Sequence, residues 1–388
     1  MRIGFLVSHP IQYYTPIFRE LAKHCDLTVF FAHRQTAAGQ ARAGYGVAFD
    51  WDVDLLSGYD SRFLTNVARQ PSTDAFSGCD TPGIAEEIAR GHFGAFVVPG
   101  WGLRSYLQAV RACRRAKVPV LVRGDSQLAS QRGGAVRFAK ALVFPRFLKR
   151  FDGFLYVGQR NREYLEHYGA PADRLFFSPH CIDNESFRSA SDAARGEKPD
   201  IGGRPPRRLL FVGKLVESKR PLDLLRAAAL IQGHGGKVEV AFAGAGEADA
   251  GLGRAAADAR ISTTFHGFVN QSALPAIYAA ADVIVSPSVE TWGLVVNEAM
   301  ACGVPAVVSD AVGCGPDLIE EGRTGMIFPL GDIPALARAI EAVLAFDPAR
   351  AREAIAARMA VYSPNRTAQG IMEAAVAVGG FRQSVPGR

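Results

Sequence analysis

The chain alternates short, almost wholly apolar strand patterns with longer helical ones, and it does so twice. Residues 3–7, 27–32, 95–98, 118–122 and 153–157 read as strands with no polar face, with helical patterns over 13–23, 104–116 and 159–168. Strands apolar on both faces and separated by helices imply a parallel sheet covered on two sides. Residues 189–207 (SASDAARGEKPDIGGRPPR) then lose all periodicity and are rich in Pro, Gly and charge, as an exposed connection would be. The alternation starts afresh with strands at 208–212, 238–243, 282–286, 306–309 and 326–328 and helices at 221–230 and 272–280, a break falling at 234–236.

The expected fold class is therefore α/β, built from two doubly wound units. The first covers 1–188, the connection 189–207 and the second 208–363. A tail helix over 364–388, broken from its predecessor at 362–364, turns back across the first unit. Each unit offers the carboxyl ends of its strands to a cleft between the two.

Composition narrows the class. Of 388 residues, 48% are hydrophobic and 21% charged, which excludes disordered, collagenous and coiled-coil chains. No apolar run spans a bilayer, and the N-terminal residues enter a strand pattern directly, so a cytoplasmic location is expected. The six cysteines form no CxxC pair, which argues for reduced thiols rather than a disulfide or zinc framework.

The net charge of +6 belongs to the first half, with 26 Lys+Arg against 20 Asp+Glu in 1–200 and 18 against 18 thereafter. Between Arg104 and Arg150 stand twelve basic residues and one acid, Asp125. Within 135–151, Val136, Ala139, Val143, Phe147 and Phe151 recur at helical spacing, with Arg137, Lys140, Lys149 and Arg150 off that stripe. Such a helix either lies on an anionic membrane surface or covers a sheet with its cations solvated. Nucleic acid is not expected as a partner, since no recognition motif accompanies the charge.

The chemistry concentrates in 286–305 (SPSVETWGLVVNEAMACGVP). A strand ends, a loop follows, and a helix opens near Gly293 and stops at Gly303, with Pro305 preventing continuation. The amides of Gly293 and Leu294 then form an anion site worth roughly 0.3–2 kcal/mol. Glu290 lies just before it, and Glu298 on the helix can accept hydrogen bonds from vicinal hydroxyls. In FVGKLVESKR, Gly213 permits close backbone approach, and Lys214 and Lys219 can each give a phosphate a charge-assisted bond of about 1.5–3 kcal/mol. A diphosphate flanked by hydroxylated rings fits this set.

Glu290 and Glu298 with seven residues between, followed by AMACGVPAVVSD, resemble the signature of the family 4 retaining glycosyltransferases of the GT-B fold (glycosyl transferases group 1). FVGKLVESK, AGAG at 243–246, FHGFV at 265–269 and SPHCIDNESF at 178–187 extend the resemblance over nearly the whole chain. The resemblance implies that Glu298 holds the ribose of a nucleotide-sugar donor and Glu290 the transferred sugar. Lys219 and the Gly293 and Leu294 amides would hold the diphosphate, with Phe268 and Val269 along the base. Lys214 stands where the family more often has arginine. It implies transfer with retention to a saccharide or lipid-linked acceptor, as in the synthesis of bacterial surface polysaccharide or lipopolysaccharide. The same architecture also serves sugar-nucleotide epimerisation and phosphorolysis, and a non-catalytic membrane-bound scaffold is a third reading.

The first half departs from the family at two places. SHPIQYY at 8–14 replaces a glycine-rich turn, and RGDS at 123–126 replaces a histidine. His9, Gln12, Arg123 and Asp125 at these strand ends are the acceptor-side candidates. No metal or other cofactor is expected, because two lysines and a helix end can meet the charge growing on a departing diphosphate. DWDVD at 50–54 has the composition of a metal-binding carboxylate pair without its context, and reads as decoration of a loop or strand edge.

Overall fold

The computed structural model describes residues 1–41, 46–129, 134–195 and 206–383, with backbone alone for 134–139 and 380–383. The chain divides into two compact units. Met1–Ala43, Asp54–His180 and Ser363–Arg388 form the first, and Gly44–Val53 and Cys181–Tyr362 the second.

The first unit is built on seven parallel strands: β1 Arg2–Val7, β2 Asp26–Phe31, β3 Asp60–Phe63, β4 Ala95–Val98, β5 Val120–Gly124, β6 Gly153–Tyr156 and β7 Leu175–Phe177. Their order is β3-β2-β1-β4-β5-β6-β7, so the sheet reverses direction between β1 and β4. The second unit repeats the plan with β8 Arg207–Val212, β9 Val238–Ala243, β10 Thr263–Phe265, β11 Val283–Ser286, β12 Ala306–Ser309 and β13 Gly325–Phe328. Its order is β10-β9-β8-β11-β12-β13, reversing between β8 and β11. In open sheets of this kind ligands bind outside the carboxyl ends of the strands at the reversal.

The strands anticipated from apolar runs are the central ones, where both faces are covered, together with the edge strand β13. Strands β3, β7 and β10 were not anticipated, because each is a short edge strand. In Asp60–Phe63, for example, exposed and half-buried residues alternate.

One reading of the connections changes. Residues 189–194 are helical rather than part of an aperiodic link. The helix Asn184–Ala194 is capped by Asp183, whose side chain accepts from the Ser186 amide at 3.1 Å. Of the expected connection, residues 196–205 lie outside the described residues. At the other end the helices Pro348–Val361 and Pro364–Gln383 are separate. The latter packs on the helix Thr15–Ala22 and on β6 and β7. Ile371, Ala374, Ala375 and Val378 form its buried stripe.

The basic segment also differs. The helix is Gly134–Leu148, and the side chains of Val136, Arg137 and Ala139 lie outside the described residues. Val143 is 66% exposed, whereas Phe144, Leu148 and Phe151 face the core. The apolar stripe is thus rotated by one residue, because the Phe144 ring buries more area than the Val143 side chain. Trp101 packs against Phe144 and Phe147 with ring centres 5.0 and 5.9 Å away. Lys140 is not simply solvated either. Its ammonium sits 4.7–5.0 Å from the rings of Phe144, Tyr164 and Tyr168, and burial lowers its pKa.

Candidate functional site

In the second unit, the reversal between β8 and β11 collects most of the donor-side candidates. β8 runs out into Gly213 and the half-buried Lys214, followed by the turn Glu217–Lys219. Gly213 has φ +145°, and its carbonyl lies against Gly244, where a Cβ would come within 1.8 Å of the oxygen. The glycine pattern at 244–246 therefore lets two backbone segments meet.

β11 runs out into the loop bearing Glu290. That loop is pinned to the one after β12: the Glu290 amide donates to Ala311, and the Gly313 and Cys314 amides donate to Glu290 and Trp292. Ser309 Oγ donates to the Ser288 carbonyl at 2.6 Å. Gly293 then caps the helix Leu294–Ala301 at φ +105°, a left-handed geometry that a side chain would strain.

Glu290 and Lys219 meet directly. Lys219 Nζ lies 2.5 Å from Glu290 Oε1, which also accepts from Ser288 Oγ at 2.8 Å. The two residues, 71 apart in sequence, are brought together from either side of the reversal.

Glu298 is 7% exposed, so it is not the solvated glutamate its helical position would ordinarily suggest. Tyr278 Oη donates to Oε2 at 2.7 Å, and Gln271 Nε2 donates to Oε1 at 3.5 Å. Burial pushes its pKa up to about 7 despite both bonds. Neither Tyr278 nor Gln271 was found by sequence reasoning, since each is a common residue in an unremarkable helix or loop. Phe268 and Val269 are half-buried in the loop after β10. His266, beside them, is exposed at the surface.

In the first unit, a cavity of about 150 Å³ opens at the ends of β1, β4 and β5. Arg123, Asp125, Tyr13, Tyr14, Tyr106 and His180 line it, while His9 and Gln12 do not. Arg123 is 1% exposed. It donates from Nε to Ser178 Oγ at 3.3 Å and from Nη2 to the Pro179 carbonyl at 2.8 Å, and lies over the Tyr14 ring. Its Nη1 has no hydrogen-bond partner. Asp125 Oδ2 is 3.9 Å from His180 Nε2, and burial, followed by Arg123, drives the His180 pKa well below its usual value. His9 bonds Ser8 Oγ at 3.0 Å, and burial, then His33, lowers its pKa to about 4. Gln12 Oε1 is buried without a hydrogen-bond partner. The three tyrosines and His180 were missed as site residues; the SPH run at 178–180, already part of the resemblance, was the signal for the last.

Residues 206–345 match the family described as glycosyl transferases group 1. The second unit carries a group 1 glycosyltransferase domain. A D-inositol 3-phosphate glycosyltransferase of Pseudarthrobacter chlorophenolicus is 35% identical over 174 residues, 42% of this chain and 40% of the relative. A GDP-mannose-dependent alpha-(1-6)-phosphatidylinositol monomannoside mannosyltransferase of Mycolicibacterium smegmatis is 29% identical over 58% of this chain and 62% of its own. The chain thus spans about half the length of these relatives. Among solved structures, Anabaena HepE in complex with UDP aligns over 99% of this chain and all of its own, with a TM-score of 0.68 at 17% identity. A glycosyltransferase from Rickettsia africae aligns over 97% with a TM-score of 0.68 at 14% identity. The fold is accordingly that of the GT-B glycosyltransferases, two Rossmann-like domains in one chain.

Among the described residues, no group of three His, Cys, Asp or Glu side chains is arranged to hold a metal ion, and no helix is long and apolar enough to cross a membrane. Asp50 and Asp52 lie in a loop, and Asp52 accepts hydrogen bonds from Ser272.

Proposed function

We propose that the protein is a retaining glycosyltransferase that moves a sugar from a nucleotide-sugar to a hydroxyl of a saccharide or lipid-linked acceptor. The observation that carries this reading is the Lys219–Glu290 pair at the β8/β11 reversal of a group 1 domain, with Glu298 buried on the adjoining helix. Relatives whose names specify GDP-mannose and neighbours solved with UDP support a nucleotide donor, its base being UDP, GDP or dTDP.

In this reading Glu298 accepts bonds from the ribose hydroxyls and Phe268 and Val269 flank the base. Lys214, Lys219 and the amides of Gly293 and Leu294 hold the diphosphate, which Gly213 lets approach the backbone. Glu290 orients the sugar hydroxyls. The Lys219–Glu290 pair keeps both charges compensated until sugar and diphosphate take up one partner each. The anomeric C–O bond breaks with its electron pair passing to the diphosphate, the acceptor oxygen adds to the same face, and the acceptor proton goes to the departing phosphate oxygen. The growing negative charge is met by two lysines and a helix end already oriented toward it, so no divalent metal is needed. The cavity of the first unit, with Arg123 and Asp125, takes the acceptor, and His9 and Gln12 support its rim. A role in bacterial surface polysaccharide or lipopolysaccharide synthesis, at the anionic inner face of a membrane, accords with a lipid-linked acceptor.

The test is a panel of UDP-, GDP- and dTDP-sugars screened by thermal shift, followed by NMR of the product. A donor at 100 times its dissociation constant stabilises by about 2.7 kcal/mol. Binding of one donor with an axial or equatorial linkage matching its own anomer is expected, undiminished by EDTA. Absence of binding across the panel overturns the reading, and inversion of the anomer or loss of turnover with EDTA overturns the mechanism.

A further inference from the structure

One stretch from the first half of the sequence folds with the second unit: the described residues of Gly44–Val53. It contacts the loop between β10 and the helix Leu274–Ala279. The Phe49 ring centre lies 4.4 Å from that of Phe268, the planes tilted by 38°. Trp51 meets Phe49 edge-on at 5.0 Å. Asn270 Nδ2 donates to the Asp50 carbonyl at 2.8 Å. The Asp52 carboxylate accepts from the Ser272 amide at 3.1 and 3.3 Å, and from the Ser272 hydroxyl as well.

These contacts fall on residues that matter to the donor. The loop carries Phe268 and Val269, and Gln271 between the bonded Asn270 and Ser272 reaches Glu298. The helix that follows carries Tyr278, the other partner of Glu298. Phe49 is 8% exposed, yet it takes no part in the core cluster of the second sheet, which closes around Leu209, Phe211, Phe242 and Val285.

We propose that segment 49–52 is the outer wall of the nucleobase site on the second unit. Phe49 and Phe268 together present the aromatic surface against which the base lies, which makes Phe49 a determinant of base selectivity. Asp52 is a positioning residue: through Ser272 it holds the loop in the shape that aligns Phe268 with the base and Gln271 with Glu298. Stacking on an aromatic ring is sequence-tolerant but sensitive to ring size and shape, so removal of one ring alters both affinity and preference. This inference rests on the donor reading above and adds to it residues outside the group 1 segment.

Calorimetric titration of the full chain with UDP, GDP and dTDP tests it. Phe49→Ala and Asp52→Ala are expected to weaken the preferred nucleotide about tenfold. Phe49→Leu, which keeps bulk without a ring, is expected to narrow the ratio between the preferred nucleotide and the others. Asp52→Asn retains an acceptor for the Ser272 amide and is expected to restore most of the affinity, while the unfolding midpoint without nucleotide stays that of the native chain. Unchanged affinities and ratios in the Phe49 and Asp52 variants overturn the proposal. So does tighter binding, which would make the segment an obstruction. A native chain that binds none of the three nucleotides fails the donor reading itself, whereas native binding with indifferent variants fails only the assignment of segment 49–52.

Discussion

In the proposed donor site Glu298 joins two opposed demands in one side chain. Its burial favours the protonated form, with the pKa at about 7 against an ordinary 4.5, while the proposed acceptance of two ribose hydroxyl bonds favours the carboxylate. Because the folded value is raised, the group's contribution to stability is complete below about pH 4.5 and is lost as pH climbs through about 7. We therefore expect the ligand-free protein to lose thermal stability over that window relative to Glu298→Gln. Affinity for a nucleotide-sugar is expected to rise over the same window in the native chain only. Melting curves and titrations across the pH range check both slopes. Tyr278→Phe removes the shorter of the two bonds to the carboxylate, and a bond to a charged group contributes about 1.5–3 kcal/mol. Donor affinity should fall by about tenfold or more in that variant, with its pH midpoint displaced upward. Glu290, Glu298, Lys219 and Gly293 were readable because their spacing is local to two short runs. Tyr278, Gln271 and the tyrosines around Arg123 were not, since their significance comes only from what the fold sets beside them.

At the scale of elements, the β8 and β9 exits must come into backbone contact, and Gly244 is the residue that allows it. Gly244→Ala drives a methyl group into the Gly213 carbonyl at a positive φ, so we expect a loss of about 1–3 kcal/mol in denaturant unfolding. Donor affinity should fall with it, because Lys214 is the next residue along. The basic helix makes a different case. Leu142 and Val143, 56% and 66% exposed, stand near Arg146, Lys149 and Arg150, which fits the proposed contact with an anionic membrane. Flotation with vesicles containing phosphatidylglycerol should recover the protein, and a Leu142→Ser, Val143→Ser double variant should stay behind. Central strands were legible from apolar runs alone, since burial on both faces leaves no alternative composition. The helix stripe was misplaced by one residue, because two adjacent apolar stripes compete and only the neighbouring Trp101 and Tyr168 decide between them.

Over the whole molecule, the chain returns at Ser363 to the unit in which it began. The helix Pro364–Gln383 buries Ile371, Ala374, Ala375 and Val378, and its Thr367 hydroxyl donates to the Pro179 carbonyl at 2.8 Å. Ser178 Oγ donates in turn to the Thr367 carbonyl, and the same Ser178–Pro179 pair is gripped by Arg123. Truncation after Tyr362 should therefore destabilise the first unit and leave the second folded, seen in calorimetry as the loss or displacement of one transition while nucleotide binding persists. Repetition of the apolar alternation, the break between its two runs and the pair of spaced glutamates were set by sequence alone, because covered parallel strands and helix termini leave local patterns of period and composition. Membership of 46–53 in the second unit, the closure of Lys219 on Glu290 and the burial of Glu298 were decided by tertiary structure. Each depends on residues tens or hundreds of positions apart being brought within a few ångströms, and no local pattern of period or composition carries that distance.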